Sequence, residues 1–322
     1  MKAMQKKYGK AAIFAMDDKL DFKVEAIPTG CYQLDEALGC GGLPKGRIIE
    51  LFGQESAGKS LMSMFFMAQI QRMGGTAALI DAEFSFNSDF ARTIGLDTNK
   101  LIVSQPSTLE EAVDMVDNLA KTGAVDIIVV DSVASMVPRK ELEGEEIMGD
   151  TMALQARQMN KALRILTGSV AKSKVILIFI NQLREKVGIV WGAKEYTPGG
   201  KALKFYSSLR LQVSKGEKIE KDKIQVGNWL KIKVVKNKVG YPFREAQFEL
   251  YYDAGIDLVG SLLDFCVMKG VVVQNGSSYL FGDKKLGLGR ERAKETIRGD
   301  EVLKKELTKQ ALDKLKESLK NV

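Results

Sequence analysis

The sequence predicts an α/β protein with a mostly parallel, twisted sheet flanked by helices, an antiparallel extension of that sheet, and a small α+β domain after it. Three observations carry this expectation. From Thr29 to about Gln182, short apolar runs alternate with longer helix-forming stretches, the order of βαβ units with helices on both sheet faces. After Gly200 the apolar runs succeed one another without intervening helices, as antiparallel strands do. From about Asp257 the chain turns helical, with short apolar strands at 271–273 and 279–281. The expected division is residues 1–28, a partly helical arm, residues 29–256, the core, and residues 257–322, the C-terminal domain.

The first core strand is Arg47-Ile48-Ile49-Glu50-Leu51-Phe52, short and rich in β-branched residues. After it stand Gly53, Gln54, Glu55, Ser56, Ala57, Gly58, Lys59 and Ser60, and then a stretch of good helix formers to about Met73. Strand, G-x-x-x-x-G-K-[ST] loop and helix form the Walker A phosphate cradle. Glycines at 53 and 58 let the backbone wrap close, so that N–H groups and the helix N-terminus point at phosphate oxygens. Lys59 can reach the β- and γ-phosphates, and the Ser60 hydroxyl can ligate Mg²⁺. A glycine-rich turn alone would be a weak signal; the flanking strand and helix make it specific.

The next strand, 76–83, ends in Asp81-Ala82-Glu83. Glu83 could polarise the water that attacks a γ-phosphate; alternatively both carboxylates cap the following helix. A strand at 101–105 and a helix at 108–121 follow. Residues 125–132 form an apolar strand ending at Asp131, the pattern of a Walker B element, about 70 residues after Lys59. At that strand end Asp131 could hold Mg²⁺ through water. A long helix over 150–172 leads to a strand over 174–182 that ends in two amides, Asn181 and Gln182. An amide beside a γ-phosphate can sense it by hydrogen bonding.

Residues 183–201 show no periodicity and hold Arg184, Lys186, Trp191, Lys194, Tyr196 and Lys201 among four glycines. A loop this long is usually functional or disordered, and basic residues among glycines suit a segment that follows a nucleic-acid backbone; an ordinary solvated loop is the alternative. The later strands are expected at 209–213, 229–237 and 245–252. The middle one carries Lys231, Lys233 and Lys236, with Lys238 just after it, consistent with a solvated sheet face or with phosphate contact.

Composition narrows the chemistry. Histidine is absent, which removes Ser-His-Asp and Cys-His catalysis and the usual zinc ligand. Three cysteines without C-x-x-C spacing point to a reducing cytoplasm. No apolar run approaches the roughly 20 residues that cross a bilayer. The net charge of +7 permits an anionic polymer as partner.

Over nearly its whole length the chain resembles the bacterial RecA recombinases. The resemblance rests on Thr29-Gly30, Leu43-Pro44-Lys45-Gly46-Arg47, the phosphate loop, Asp81-Ala82-Glu83, residues 125–133, Phe179-Ile180-Asn181-Gln182, Gly199-Gly200-Lys201-Ala202-Leu203-Lys204-Phe205-Tyr206 and Val234-Val235-Lys236-Asn237-Lys238. It implies a P-loop ATPase core and a helical filament of protomers on single-stranded DNA, with ATP and Mg²⁺ held between protomers. That filament pairs its strand with a homologous duplex, exchanges strands, and serves recombination, repair and the SOS response. By position it makes Glu83 the catalytic glutamate, Gln182 the γ-phosphate sensor, Phe90 the aromatic that stacks on adenine, and Lys236 and Lys238 a pair reaching the neighbour's γ-phosphate. It places DNA-binding loops at about 140–152 and 183–201, with Arg157, Asn160 and Arg164 on the DNA-facing side of the long helix. The N-terminal arm becomes an oligomerisation arm, and coprotease action toward a LexA-type repressor comes as a family activity. A ring-forming helicase or circadian-type ATPase would lack the Val235-Lys236-Asn237-Lys238 element, and a small-molecule kinase would lack the loop after Gln182.

Ser60 stands where the family usually has threonine, Gln54 where proline is usual, and Phe84 where histidine commonly follows the glutamate. Residues 283–322 carry 12 Lys/Arg against 8 Asp/Glu in place of the familiar acidic tail. Weaker autoinhibition is the expectation, because acidic tails compete with DNA for basic surfaces.

Overall fold

The computed structural model describes residues 2–8, 24–142, 144, 151–185 and 195–320. Lys186, Trp191 and most of the expected 140–152 loop therefore lie outside the described residues. In chain order the core comprises α1 (Tyr32–Leu38), β1 (Ile48–Gly53), α2 (Lys59–Arg72), β2 (Ala77–Asp81), α3 (Ser88–Thr93), β3 (Ile102–Ser104), α4 (Leu109–Thr122) and β4 (Ile127–Asp131). It continues with α5 (Thr151–Ser173), β5 (Ile176–Gln182), α6 (Ala202–Tyr206), β6 (Leu209–Lys221), β7 (Ile224–Asn237), β8 (Glu245–Tyr251) and β9 (Gly255–Ile256).

These nine strands make one sheet in the order β9-β8-β7-β6-β1-β5-β4-β2-β3. Pairings from β6 through β1 to β3 are parallel, and those among β6, β7, β8 and β9 are antiparallel. The apolar runs of β1, β4 and β5 are continuous because both sheet faces are covered. Alternate residues face opposite ways. Ile49, Leu51, Ile127, Val129, Ile178 and Ile180 pack with Met62, Phe66 and Ile70 of α2. Ile48, Ile128, Val130, Leu177 and Phe179 pack with Val116 of α4 and Met159, Leu163 and Leu166 of α5.

The antiparallel part is longer than expected. β6 and β7 run far beyond 209–213 and 229–237 as a ribbon closed at Asp222 and Lys223, whose φ angles of 53° and 66° match the twist-compatible hairpin turn. Its outer residues are largely exposed and polar, so no apolar alternation marks them in the sequence.

The C-terminal part has its own apolar cluster, including Leu263, Phe265, Ile297, Leu307 and Ala311. It combines α7 (Leu258–Met268), strands β10 (Val273–Asn275), β11 (Ser278–Phe281) and β12 (Lys284–Leu288), and helices α8 (Arg290–Gly299) and α9 (Glu301–Leu319). The strand expected at 271–273 begins two residues later, because the N–H groups of Val271 and Val272 both donate to Cys266 O and close α7. A buried ion-pair cluster joins this part to β8. Lys294 Nζ lies 2.8 Å from Glu249 and 3.0 Å from Asp257, and Arg290 bridges Glu249 and Asp264.

Candidate nucleotide and DNA site

Strands β1, β2, β4 and β5 are parallel, so their carboxyl ends share one edge, where open α/β sheets bind ligands. Register makes this concrete: Gly53 stands opposite Gln182, and Asp81 opposite Asp131. Four of the residues singled out in the sequence thus meet on that edge.

In the phosphate loop, Ser56 (φ 56°) and Gly58 (φ 96°) adopt left-handed backbone, which turns successive N–H groups inward as an anion nest. Gly53 is glycine for another reason: a Cβ there would sit 2.2 Å from Val213 O of β6. Lys59 is buried, and its Nζ donates to Gln54 O at 2.7 Å, across the mouth of its own loop. Burial pushes its pKa down, opposed by the charges of Asp131, Glu83 and Glu55. The Ser60 hydroxyl hydrogen-bonds Asp131, whose carboxyl burial raises to about 6. This donor set, a hydroxyl and a buried carboxylate beside a phosphate nest, suits a hard cation with oxygen ligands.

The two carboxylates of the Asp81-Ala82-Glu83 run part company. Asp81 accepts from Ser85 N, Phe86 N and Gln105 Nε2, at 3.2, 3.2 and 2.9 Å; it caps the turn. Glu83 caps nothing. Its Oε1 accepts from Ser132 Oγ at 2.5 Å, Ser135 Oγ at 3.3 Å and Gln182 Nε2 at 3.3 Å.

Phe90 is half-buried on α3, which Asn87 caps by accepting from Asp89 N and Phe90 N. It lines a cleft of about 280 Å³ with Gly58, Lys59, Ser60, Asn228, Leu230 and Tyr252. Tyr252 and Asn228 were not singled out from sequence, nor were Ser132 and Ser135. The aromatic at the end of an apolar strand and the hydroxyls after the strand-end aspartate were the available signals.

Lys236 and Lys238 do not join this site. Lys236 stands opposite Arg210, which stands opposite Glu50, at the end of the sheet where the parallel strands begin. Its Nζ donates to the carbonyls of Lys204 and Phe205 at 2.5 and 3.0 Å, and Lys238 Nζ reaches Phe205 O at 3.3 Å. Burial lowers the Lys236 pKa, and the neighbouring Lys238 and Arg210 charges lower it further. From Glu50 to Gly53 is already about 10 Å along the strand.

Arg157, Asn160 and Arg164 are all exposed on α5, at spacings that share one face, opposite buried Met159, Leu163 and Leu166. Arg184 and Lys201 are exposed at the two ends of the 183–201 segment. Arg184–Glu185 pairs antiparallel with Glu195–Tyr196, so the segment is a ribbon at its base rather than a plain loop.

A strand, phosphate nest and helix, with a buried aspartate and a hydrogen-bonded glutamate on neighbouring strand ends, define a P-loop ATPase. Residues 1–257 match the family model of the RecA N-terminal domain, and residues 260–316 that of the RecA C-terminal domain. Protein RecA of Chlorobaculum tepidum is 47% identical over 98% of this chain and 91% of its own length. Protein RecA of Chlorobium limicola is 49% identical over 94% of this chain and 86% of its length, and that of Clostridium acetobutylicum 48% over 91% and 84%. The chain belongs to the RecA family. Its activity is accordingly DNA-dependent ATP hydrolysis coupled to homologous recombination and DNA repair.

Proposed function

We propose that the nucleotide site is assembled from two protomers of a helical filament. The observation that carries this is the separation of its parts: Lys59, Ser60, Asp131, Glu83 and Gln182 gather at one end of the sheet, while Lys236 and Lys238 lie at the other. A protomer whose cation pair stands apart from its own phosphate loop can offer it to the next protomer. Such head-to-tail contacts build an open helix.

In this reading residues 53–60 cradle the ATP phosphates, Lys59 meets the β- and γ-oxygens, and Phe90 stacks on the base. Ser60 and Asp131 would hold Mg²⁺, which when bound neutralises charge on the phosphates. Glu83 accepts a proton from the attacking water, and the neighbour's Lys236 and Lys238 stabilise charge developing on the γ-phosphate. Gln182 links the γ-phosphate to the segment that begins one residue later.

Arg184, Lys186, Trp191 and Lys201, with Arg157, Asn160 and Arg164, would hold single-stranded DNA by its backbone and by stacking, with little base preference. Homology is then tested by pairing with a duplex. Coprotease action toward a LexA-type repressor is proposed from family membership alone. The residues 1–28 arm and residues 257–322 are read as oligomerisation arm and accessory domain.

One assay tests the whole reading: ATP turnover with and without single-stranded DNA, followed by joint-molecule formation between homologous strands. Turnover stimulated by DNA and joint molecules formed only with ATP are expected. Turnover indifferent to DNA overturns it.

A further inference from the structure

Glu50 has no place in the nucleotide chemistry, yet it is a fully buried carboxylate in the strand that leads to the phosphate loop. An unpaired charge at such a site would be strongly destabilising, and Glu50 is paired. Oε2 accepts from Arg210 Nε at 2.5 Å, and Oε1 accepts from Asn181 Nδ2 at 3.1 Å. Arg210 is itself nearly buried, and its guanidinium lies over the Phe52 ring, 4.4 Å from the centroid. Glu50 and Phe52 share one face of β1, between Arg210 on β6 and Asn181 on β5.

Asn181 also holds the backbone that follows it. Its Oδ1 accepts from Gln182 N at 3.0 Å, and its Nδ2 also donates to Pro198 O at 3.1 Å. One buried amide therefore holds the start of the 183–201 segment and its return. Its orientation is set by Glu50, and Glu50 is set by Arg210. Arg210 stands directly opposite Lys236 and lowers its pKa, so the line ends at the cation pair on the opposite end of the sheet.

We infer that Glu50 and Asn181 are positioning residues that tie the base of the DNA segment to the Arg210–Lys236 end of the sheet, so that events at a protomer contact reach the DNA segment of the same protomer. This rests on the proposed readings that residues 183–201 contact DNA and that Lys236 meets a neighbouring protomer. A buried ion pair that only held the fold would support nucleotide binding and DNA-stimulated turnover equally.

The test uses the full chain with Glu50→Gln, which keeps volume and one hydrogen bond but removes the charge, and with Asn181→Ser, which leaves the ion pair intact and cannot span the gap. Two quantities are read: affinity for a fluorescent ATP analogue with Mg²⁺ in the absence of DNA, and the stimulation of ATP turnover by single-stranded DNA. Nucleotide affinity within about threefold of the parent, with stimulation reduced about tenfold or more, is expected. Full stimulation in Asn181→Ser overturns the inference. So does a parallel loss of nucleotide affinity and stimulation in that variant, which marks a merely structural role. If Glu50→Gln does not fold, Asn181→Ser decides alone. If the parent chain's turnover ignores DNA, the reading of residues 183–201 has failed, and the inference with it; a stimulated parent with stimulated variants removes only the tie.

Discussion

The Gln182 side-chain amide donates to Glu83 Oε1 at 3.3 Å, on an oxygen that Ser132 and Ser135 also approach. Gln182 Nε2 carries two N–H groups, and the one on Glu83 is not directed at a phosphate oxygen, so a rotation that aims the amide at a γ-phosphate weakens its hold on the carboxylate. In the roles proposed above, the γ-phosphate sensor and the water-activating group are thereby coupled through one hydrogen bond.

Glu83→Gln keeps an acceptor for the two serines and removes the proposed base. Filaments should still form with ATP, while turnover falls by about 10²–10⁴-fold. Electron microscopy together with steady-state hydrolysis checks this, and ordinary turnover in the variant removes Glu83 from its role.

Divided sites complement one another. Glu83→Gln protomers carry sound cation pairs, and Lys236→Ala/Lys238→Ala protomers carry sound phosphate loops. A 1:1 mixture should recover up to about a quarter of parent turnover, the random fraction of contacts with two sound halves, although neither variant turns over appreciably alone. No recovery in co-assembled filaments would place both halves within one protomer.

Lys59→Ala deletes a buried cation whose pKa is already depressed by burial. The thermal midpoint should hold or rise slightly, because removing a desolvated charge offsets the lost contacts. Nucleotide-dependent filaments should disappear. Sedimentation with and without ATP, beside a melting curve, separates the two effects.

DNA contacts are read from salt dependence. Arg164→Ala and Lys201→Ala should each weaken single-stranded DNA binding uniformly across sequences and reduce the log–log salt slope by about 0.7. Fluorescence anisotropy across a salt series checks it; a change confined to particular sequences would indicate base contact.

Asp257 caps α7, accepting from Val259 N and Gly260 N, and meets Lys294 and Arg298. Burial alone would raise its pKa, but the Gly260 N–H, Arg298 and Lys294 outweigh it and hold the carboxyl at about 2, below its ordinary 3.8. The folded state therefore binds its proton less readily than the unfolded state. This stability is present in full above the unfolded value and is lost as pH falls toward 2. Asp257→Asn should cost about 2 kcal/mol at pH 7 and progressively less with acidification, seen in urea unfolding at pH 7 and about pH 3. An unchanged gap at the lower pH refutes the assignment.

Much of this was legible in the chain. Strands buried on both faces read as unbroken apolar runs, and a phosphate loop needs its glycines and lysine at stated spacings, so β1, β2, β4, β5, α2, α4 and α5 were foreseen within a few residues. Residues 214–228 were not, because a two-stranded ribbon held by backbone pairing leaves its polar side chains in solvent and demands no pattern of them. The two acidic residues at the end of β2 looked equivalent in sequence; the tertiary structure turned Asp81 to its own turn and Glu83 to Ser132, Ser135 and Gln182. Local order determines which groups stand at strand ends, because a strand's direction and period follow from its own residues. Which of those groups share a site, and that Lys236 and Lys238 stand apart from it, depends on strand order and register. Those are settled only when distant segments pack together.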